Sequence, residues 1–393
     1  MNYTFANRIG NLKPSAIREI LKFTSQPDIT PFAAGNPSPE TFPIESIKRL
    51  TDDILQNNPI AALQYSITEG YAPLIEYLTG YYQKNHNIGR ESDGLIITSG
   101  AQQVMSLATK ALCNEGDTII CEAPSFIGSL NAFKSLNVKL CGIDVKPDGM
   151  DMERLEAALK TQKNVRFIYT IPNFQNPSGV TMSAEKRREM YALALKYNVL
   201  IVEDNPYGDL RFAGEHIPAV KSLDTEGIVI YAGSFSKILS PGMRVGFAIA
   251  PKEVLSKMVV CKQVDDVHTN IMAQMIAFGF MKSPEFEPHL AKIKDVYRSK
   301  ANLMMSLLDE CANLTYNRVE GGLFIWCKLA DGIDISEFAK RAIERKVAVV
   351  PGSAFMIDEN APCSHIRLNF STPSDKQIAG GMAVLNDLLK SYS

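Results

Sequence analysis

Lys237 lies in the segment AGSFSKILSPGMRVGF (232–247), which concentrates hydroxyl groups and positive charge. Ser234 and Ser236 precede it, and Arg244 leads into an apolar run. A lysine with a lowered pKa can act as a nucleophile or a proton carrier, and hydroxyls beside an arginine suit a bound anion. A single lysine in a loop is most often a solvated surface residue, so the neighbouring segments must decide between these interpretations.

Two other segments carry polar groups where a predicted strand ends. SGAQQ (99–103) places small residues ahead of a helix, where backbone N–H groups and the helix dipole attract an anion such as phosphate; the alternative is a tight turn. IPNFQNPSG (171–179) combines prolines and asparagines into a rigid connection with free amides. The alternative there is a turn whose asparagines bond their own backbone.

The segment VEDNPYGDL (202–210) ends an apolar strand in two carboxylates, Glu203 and Asp204. A carboxylate at the end of a buried strand is costly unless it is paired, so one of the two is expected to meet a cation. Strand alternation does not distinguish between them, and Asp204 as a helix N-cap is the alternative. The five histidines are scattered along the chain and are expected to be structural.

The elements that must position these residues alternate along the chain. GLIIT (94–98) is followed by the helical pattern AQQVMSLATKAL (101–112), and the same pairing recurs up to IVIYAG (228–233) and VGFAIA (245–250). This alternation predicts an α/β fold with a mostly parallel sheet and helices on both faces. Ligands of such sheets bind at the carboxyl ends of the strands, where the polar segments lie.

The remaining chain indicates two further parts. Beyond about residue 285 a long helical segment, a strand pair around RVEGGLFIWCKL and a last helix from Asp375 predict a smaller α+β domain. The first 45 residues precede any strand and are rich in proline, which indicates an arm over the body. We predict an N-terminal arm over 1–45 packed with the small domain, a large domain over 46–285 and a small C-terminal domain over 286–393.

Composition excludes several classes of protein. The 393 residues are 46% apolar and 21% charged with a net charge of −2, so no basic block is available to bind nucleic acid. The seven cysteines are scattered without metal-type spacing, so neither disulfides nor a metal is expected. The amino-terminal segment lacks an apolar core, and the longest apolar stretch, 271–281, is too short to span a membrane. We expect a cytoplasmic protein.

The order of several segments resembles a known family over nearly the whole chain. The matching stretches are SAIREIL, GNPSPETFP, QYSITEGYAPLIEYL, ITSGAQQ, EAPSFIG, PNFQNPSG, VEDNPYGDLRF, GSFSKILSPGMRVGF, GGLFIW, VAVVPGSAF and HIRLNFS. They resemble the fold-type I enzymes that use pyridoxal 5′-phosphate (PLP), specifically class I aminotransferases. The most similar branch contains 2-aminoadipate and kynurenine aminotransferases and the aminotransferase-like domain of bacterial regulators.

This resemblance implies roles around the cofactor ring. Lys237 matches the Schiff-base lysine, which also carries the proton during catalysis. Asp204 matches the aspartate that keeps the pyridinium nitrogen protonated. Asn176 and Tyr207 match groups that bind the phenolate oxygen, and Phe126 matches the aromatic residue stacked on the ring.

The resemblance also implies how the phosphate is bound. The matching groups are the backbone N–H groups of Ala101 and Gln102, the hydroxyls of Ser234 and Ser236, and Arg244. Tyr65 matches a tyrosine that reaches the phosphate from a neighbouring subunit, which implies a homodimer.

Substrate recognition follows from the same resemblance. Arg367 matches the arginine that binds the α-carboxylate, assisted by Asn176 and the backbone near Gly35. Arg18 matches an arginine that meets a distal carboxylate in some members, and a surface position on a helix is its alternative.

The implied reaction moves the amino group of an L-amino acid to a 2-oxo acid such as 2-oxoglutarate by a ping-pong mechanism. The implied amino donor is 2-aminoadipate or an aromatic or branched-chain amino acid. A β-lyase or a decarboxylase on the same fold stays open, because no motif reports which bond at the α-carbon breaks. A PLP-sensing module without activity is a third and weaker alternative.

Overall fold

The computed structural model describes residues 3–10 and 28–392, which fold around two β-sheets. The larger sheet has eight strands in the order β1-β8-β7-β6-β5-β2-β3-β4. Its strands are β1 Asp93–Thr98, β2 Thr118–Ala123, β3 Lys139–Lys146, β4 Gly149–Met150, β5 Val165–Thr170, β6 Leu200–Asp204, β7 Val229–Ser234 and β8 Gly246–Pro251.

The centre of this sheet is parallel. The pairs β3–β2, β2–β5, β5–β6 and β6–β7 are parallel, whereas β8 runs antiparallel to both β7 and β1. The predicted α/β class with a mostly parallel sheet is therefore confirmed. Because the parallel strands share one direction, β2, β5, β6 and β7 end at the same edge of the sheet.

Helices cover the larger sheet and link it to the smaller one. The α-helices are Asn7–Gly10, Ile44–Asn57, Pro59–Leu63, Ala72–His86, Ala101–Leu112, Ile127–Lys134, Met152–Thr161, Ala184–Tyr197, Lys252–Asp265, Ile271–Lys282, Phe286–Leu308, Ile335–Glu344 and Asp375–Lys390. Short 3₁₀ helices are Pro39–Thr41, Gly208–Leu210, Val220–Leu223, Pro241–Met243 and Gly352–Phe355.

The helix starts follow from local sequence. Asp151 and Ser183 accept hydrogen bonds from the backbone N–H groups of Arg154 and Lys186, which satisfies free donors in the first turn of each helix. Ser374 and Gln377 form a reciprocal capping box at the start of the last helix.

The smaller sheet is antiparallel, in the order β11-β12-β10-β9. Its strands are β9 Leu314–Tyr316, β10 Phe324–Leu329, β11 Val350–Pro351 and β12 His365–Asn369. The sequence predicted a strand pair around RVEGGLFIWCKL, and β9 and β10 form this pair: they are antiparallel, with Tyr316 opposite Cys327. The loop between them contains Gly321 and Gly322, which pack against the Phe174 ring, and β12 is the second partner of β10.

The segment that follows residue 28 connects the two sheets. Thr30 forms a parallel bridge with Val347, and the side chain of Phe32 is completely buried against Gly381 of the last helix. The carbonyl oxygen of Phe32 accepts a hydrogen bond from the backbone N–H of Asn369, at the end of β12. Residues 33–36 are thereby held at the edge where the parallel strands end.

The described residues contain neither a membrane-spanning helix nor a cluster of metal ligands. Within 3–10 and 28–392, no helix combines the length and the apolar character needed to cross a membrane. In the same part of the chain, no three His, Cys, Asp or Glu side chains come close enough together to hold a metal ion.

Candidate active site

A cavity of about 360 Å³ opens at the carboxyl edge of the parallel strands. Twelve residues singled out from the sequence line it: Gly35, Ala101, Gln102, Phe126, Asn176, Asp204, Tyr207, Ser234, Ser236, Lys237, Arg244 and Arg367. Its volume lies within the range of about 300–1,000 Å³ typical of small-molecule sites. The fold thus brings residues from both sheets and from the segment after residue 28 to one place.

Two predicted site residues are not placed in this cavity. Tyr65 is 82% exposed, and its ring meets that of His268 edge-on at 5.9 Å. The described residues that line the cavity do not include Tyr65. Arg18 lies outside the described residues.

Lys237 lies three residues beyond the end of β7, and its side chain enters the cavity. Its Nζ donates a hydrogen bond to the carbonyl oxygen of Gly35 at 2.9 Å. Burial, with a smaller contribution from the nearby cations Arg367 and Arg244, lowers the pKa of Lys237 to about 8. A lysine in this environment exchanges its proton near neutral pH, as a nucleophile or a general base must.

Asp204 ends β6, with one carboxylate oxygen bonded and the other free. Oδ2 accepts a hydrogen bond from the Tyr169 hydroxyl at 2.9 Å, and that hydroxyl also lies 2.8 Å from Ser129 Oγ. Oδ1 is buried and has no hydrogen-bond partner among the described residues. Burial raises the pKa of Asp204 to about 7, and the bond from Tyr169 opposes that shift. A cation against Oδ1 would restore the charged carboxylate.

Glu203, the preceding residue, points to the opposite face of the sheet. Its two oxygens accept hydrogen bonds from the backbone N–H groups of Val220 at 2.9 Å and Lys221 at 2.8 Å. No side chain within the described ranges forms an ion pair with either carboxylate, but burial raises the pKa of Glu203 and the Arg187 guanidinium opposes that shift. Glu203 needs no ion pair, because two peptide donors satisfy it, and Asp204 faces the cavity.

Arg367 lies on β12 and extends into the cavity from the smaller sheet. Its Nη1 donates to Asn176 Oδ1 at 3.0 Å, and its Nη2 donates to the carbonyl oxygens of Ala33 and Ala34 at 2.9 and 3.2 Å. The guanidinium lies 4.2 Å from the ring centre of Phe324 and 4.8 Å from that of Phe355.

The environment of Arg367 makes its guanidinium suitable for binding an anion. Nε is buried without a hydrogen-bond partner among the described residues. Burial lowers the pKa of Arg367 to about 10, and the Tyr207 hydroxyl opposes that shift. A positive group with an unused donor in an apolar setting favours a carboxylate that can accept from two N–H groups at once.

The anion-binding end of the cavity is built on the helix that begins at Ala101. Gly100 caps this helix with φ of +79°, and a Cβ there would lie 2.3 Å from Arg244 Nη2, so only glycine fits. Arg244 donates to the carbonyl oxygen of Ser99 at 3.1 Å and lies 3.5 Å from Ser236 Oγ. Helix N–H groups, hydroxyls and a guanidinium converge there, as a phosphate requires.

The remaining cavity residues frame a flat space. Phe126 caps the helix 127–134, and its ring covers Gly128, where a Cβ would lie 2.6 Å from the ring. Asn176 Nδ2 lies 3.5 Å from the Tyr207 hydroxyl, and burial raises the pKa of that hydroxyl. An aromatic face and a pair of hydrogen-bonding groups are therefore available to a planar ligand.

The chemistry of these groups fits PLP. Its ring nitrogen requires an anion, its carbonyl group requires an amine, and its phosphate requires a cluster of hydrogen-bond donors. Asp204 has an unpartnered buried oxygen, Lys237 has an amine of lowered pKa, and Arg244 belongs to a donor-rich helix start. The three requirements are met on three sides of one cavity.

Sequence reasoning missed several residues that shape this site. Tyr169 on β5 supports Asp204, and its place one position before the strand end was the available signal. Phe324 and Phe355 enclose Arg367, and only strand pairing in the smaller sheet reveals this. Buried Glu122 accepts hydrogen bonds from the backbone of Ile171 and from Thr170, which anchors the loop that carries Asn176.

Comparisons with known proteins show which family the sequence matches. The sequence model of the family described as aminotransferase class I and II matches residues 27–385. Aromatic-amino-acid aminotransferase 1 of Thermococcus litoralis is 37% identical over 392 residues, which cover 98% of this chain and 94% of that protein. The 2-aminoadipate transaminase of Thermus thermophilus is 37% identical over 391 residues, covering 98% and 96% of the two chains.

A solved structure extends this similarity to the fold. The structure is that of Pyrococcus horikoshii kynurenine aminotransferase in complex with PMP and with KYN and KYA. It superposes with a TM-score of 0.95 at 36% sequence identity, and the match covers 99% of this chain and 97% of that one.

Proposed function

The chain belongs to the class I and II aminotransferases and is a PLP-dependent enzyme, and from that premise we propose that Lys237, Asp204 and Arg367 form its catalytic centre. The observation that carries this proposal is their convergence from two sheets on one cavity of about 360 Å³. Each has a functional group that the described residues leave available: an amine of lowered pKa, a carboxylate oxygen and a guanidinium N–H.

The cofactor is held by groups that already line the cavity. Asp204 Oδ1 meets the ring nitrogen, Asn176 and Tyr207 bind the phenolate oxygen, and Phe126 covers the ring. The phosphate is bound by the following groups: the backbone N–H groups of Ala101 and Gln102, the hydroxyls of Ser234 and Ser236, and Arg244. When bound, PLP supplies an electron sink for the electrons of the bond broken at the substrate α-carbon.

Lys237 both carries the cofactor and moves the proton. Its Nζ removes the proton from the substrate α-carbon as a general base and later returns a proton as a general acid. The pKa of about 8 in this cavity lets the amine do both near neutral pH. Arg367 orients the substrate by binding its α-carboxylate in a bidentate manner, with Asn176 and the backbone near Gly35 as further contacts.

The proposed amino donor is 2-aminoadipate or an aromatic or branched-chain amino acid, and the acceptor is a 2-oxo acid such as 2-oxoglutarate. The names of the relatives support this range, as do the aromatic rings of Phe324 and Tyr207 in the cavity lining. Arg18, outside the described residues, is the proposed contact for a distal carboxylate. Arg18→Ala should lower kcat/KM for 2-aminoadipate but not for leucine.

We further propose a homodimer in which Tyr65 reaches the phosphate of the partner's cofactor. Exposed apolar side chains around it support a subunit contact: Ile60 is 76% exposed, Leu63 75% and Ile67 58%. A fully active monomer in sedimentation experiments would contradict this assignment, as would a Tyr65→Phe enzyme with unchanged PLP affinity.

Cellular location and domain division also stay proposals. The seven cysteines are free, which suits a reducing compartment, and we place the enzyme in the cytoplasm. We assign residues 1–45 to an arm, 46–285 to the large domain and 286–393 to the small domain.

Single-turnover half reactions test the proposed function. The holoenzyme is mixed with one amino donor and no acceptor, and the change in cofactor absorbance is followed together with the 2-oxo acid released. We expect at least one of 2-aminoadipate, phenylalanine or leucine to react, and Lys237→Ala to react with none. Release of pyruvate and ammonia from cysteine-type donors without amino transfer would instead indicate a β-lyase, and carbon dioxide a decarboxylase.

A further inference from the structure

A second cavity, of about 450 Å³, lies behind the loop that follows β6. The segment 204–209 separates the two cavities: Asp204 and Tyr207 line the first, and Asn205 and Asp209 line the second. The far wall of the second cavity is one face of the long helix Phe286–Leu308, where Glu287, Leu290 and Lys294 follow at helical spacing. None of the residues proposed for catalysis lines this cavity.

The second cavity contains carboxylates without partners. Asp209 and Glu287 both line it, and neither makes a hydrogen bond or an ion pair with another described residue. Burial raises the pKa of Asp209, against the opposing effect of His86, Lys294 and His216. Asp209 is partly buried, so its unpaired carboxylate is costly, and a ligand with a positive charge would offset that cost; Glu287 is exposed and adds a second negative charge to the lining.

Positive groups line the same cavity and also have unused donors. Arg211 uses Nη1 to bind Glu320 and the carbonyl oxygen of Ala213, but its buried Nη2 has no partner among the described residues. Lys294 makes no ion pair within the described part of the chain. The cavity therefore offers a carboxylate site as well as an ammonium site.

Neutral aromatic and imidazole groups complete the lining. His86 and His216 were expected to be isolated, but their rings lie 6.2 Å apart, because the helix Ala72–His86 ends opposite the loop after β6. His86 Nε2 is buried without a partner in the described ranges, and burial lowers the pKa of both histidines. Tyr81 and Tyr82 also line the cavity, and aromatic rings attract an ammonium group.

We propose that this cavity is a second, non-catalytic binding site for a small zwitterion that carries an ammonium and a carboxylate, the chemical class of amino acids. A simple anion would leave Asp209 and Glu287 unpaired, and a simple cation would leave Lys294 unpaired and Arg211 Nη2 without an acceptor. A zwitterion satisfies both signs of charge. This site goes beyond the aminotransferase reaction and does not depend on which donor that reaction uses.

Occupation of this site acts on the active site through Asn205. Its Nδ2 donates to the Tyr231 hydroxyl at 2.9 Å, and its Oδ1 accepts from Asn173 Nδ2 at 2.9 Å. Asn205 directly follows Asp204, so a ligand that shifts this network also shifts the carboxylate and Tyr207. We expect the bound zwitterion to change the KM for the amino donor.

Binding of the ω-amino acids 4-aminobutanoate and 6-aminohexanoate to the holoenzyme tests this inference. Both are zwitterions, and both lack the α-amino acid group that the proposed catalytic reaction uses. Calorimetry should show one site per chain for at least one of them, with hexanoate and hexylamine binding at least tenfold more weakly. Asp209→Asn and Glu287→Gln should each weaken binding at least tenfold and abolish the effect on KM. Glu189→Gln, an exposed carboxylate on another helix, should leave binding unchanged.

Three outcomes would overturn the proposal. The first is that neither probe binds the wild type. The second is that hexanoate binds as tightly as 6-aminohexanoate, which would indicate an anion site. The third is that both variants bind the probes as tightly as the wild type does. Turnover of an amino donor is measured on every sample. If the wild type and the variants are active but bind no probe, this inference fails while the proposed function stands.

Discussion

The enzyme places one lysine on each side of the same sheet, in opposite electrostatic surroundings. Lys221, on the face of Glu203, is 1% exposed and forms ion pairs with Asp93 at 2.9 Å and Asp224 at 2.8 Å. Lys237, in the cavity of Asp204, has one carbonyl oxygen as its hydrogen-bond acceptor and two arginines nearby.

This difference distinguishes charged side chains that stabilise the fold from charged side chains that bind a ligand. On the Glu203 face, each charge meets opposite charge or peptide donors, so the cluster is complete without a ligand. On the Asp204 face, the three charged groups are Lys237, Asp204 and Arg367. Their hydrogen-bond partners within the protein are neutral, and Asp204 and Arg367 each keep a buried atom without a partner among the described residues. A ligand supplies the missing charges there, and four substitutions test the comparison.

Lys221→Met should have the largest effect and reduce stability. It leaves Asp93 and Asp224 buried without their cation, which costs about 3–5 kcal/mol of unfolding free energy. Urea denaturation measures the loss. Lys110→Met is the control, since the pair of Lys110 with Asp265 is partly exposed and worth about 0–1 kcal/mol. Equal losses in the two variants would contradict the structural role of the buried cluster.

Asp204→Asn should remove activity without reducing stability. The amide cannot carry the negative charge that the cofactor ring needs, and loss of one such electrostatic contact lowers kcat by about 10²–10³-fold. The unfolding midpoint should not fall, because the carboxylate is poorly compensated without a ligand. Activity within tenfold of the wild type would show that Asp204 does not face the ring nitrogen.

Lys237→Met should stabilise the PLP-free protein at pH 7, the reverse of Lys221→Met. Folding lowers the pKa of Lys237 from 10.5 to about 8, so the unfolded chain holds the proton more tightly. The penalty is fully present below pH 8 and disappears as pH rises towards 10.5. We expect a gain of about 3 kcal/mol at pH 7, shrinking by pH 9.5. A pH-independent difference would contradict this origin.

Glu203→Gln should have the smallest effect. The amide provides one acceptor oxygen for two peptide N–H groups, so one donor at Val220 or Lys221 loses its partner at a cost of about 1–2 kcal/mol. Turnover of the folded enzyme should stay within twofold of the wild type. A loss of activity comparable to that of Asp204→Asn would erase the distinction between the two faces.

Much of this arrangement was predictable from local patterns. Alternating strands and helices predicted the parallel sheet, and the polar segments after the strands predicted where a ligand binds. The small residues around Gly100 predicted the start of a helix, but they left an anion site and a simple tight turn both open. The roles around the cofactor came from the resemblance to aminotransferases, because residue types alone left Glu203 and Asp204 equivalent.

Other features could not be predicted, because they depend on contacts between distant segments. Phe355 and Phe324 enclose Arg367 only through the pairing of strands in the smaller sheet. His86 and His216 meet only because a helix end packs against a distant loop. Tyr65 does not line the active-site cavity formed by the described residues of its own chain, so the role proposed for it depends on a second subunit.

The sequence alone determined that amine, carboxylate and hydroxyl groups follow the strands, and that parallel strands bring such residues to one edge. This follows from strand direction, which repeats along the chain. Residue types and strand alternation left Glu203 and Asp204 equivalent, and the family resemblance favoured Asp204; only the tertiary structure decided that Asp204 lines one cavity with Lys237 and that Arg367 reaches this cavity from another sheet. Those decisions depend on the register and pairing of strands, which are set by packing across the whole molecule.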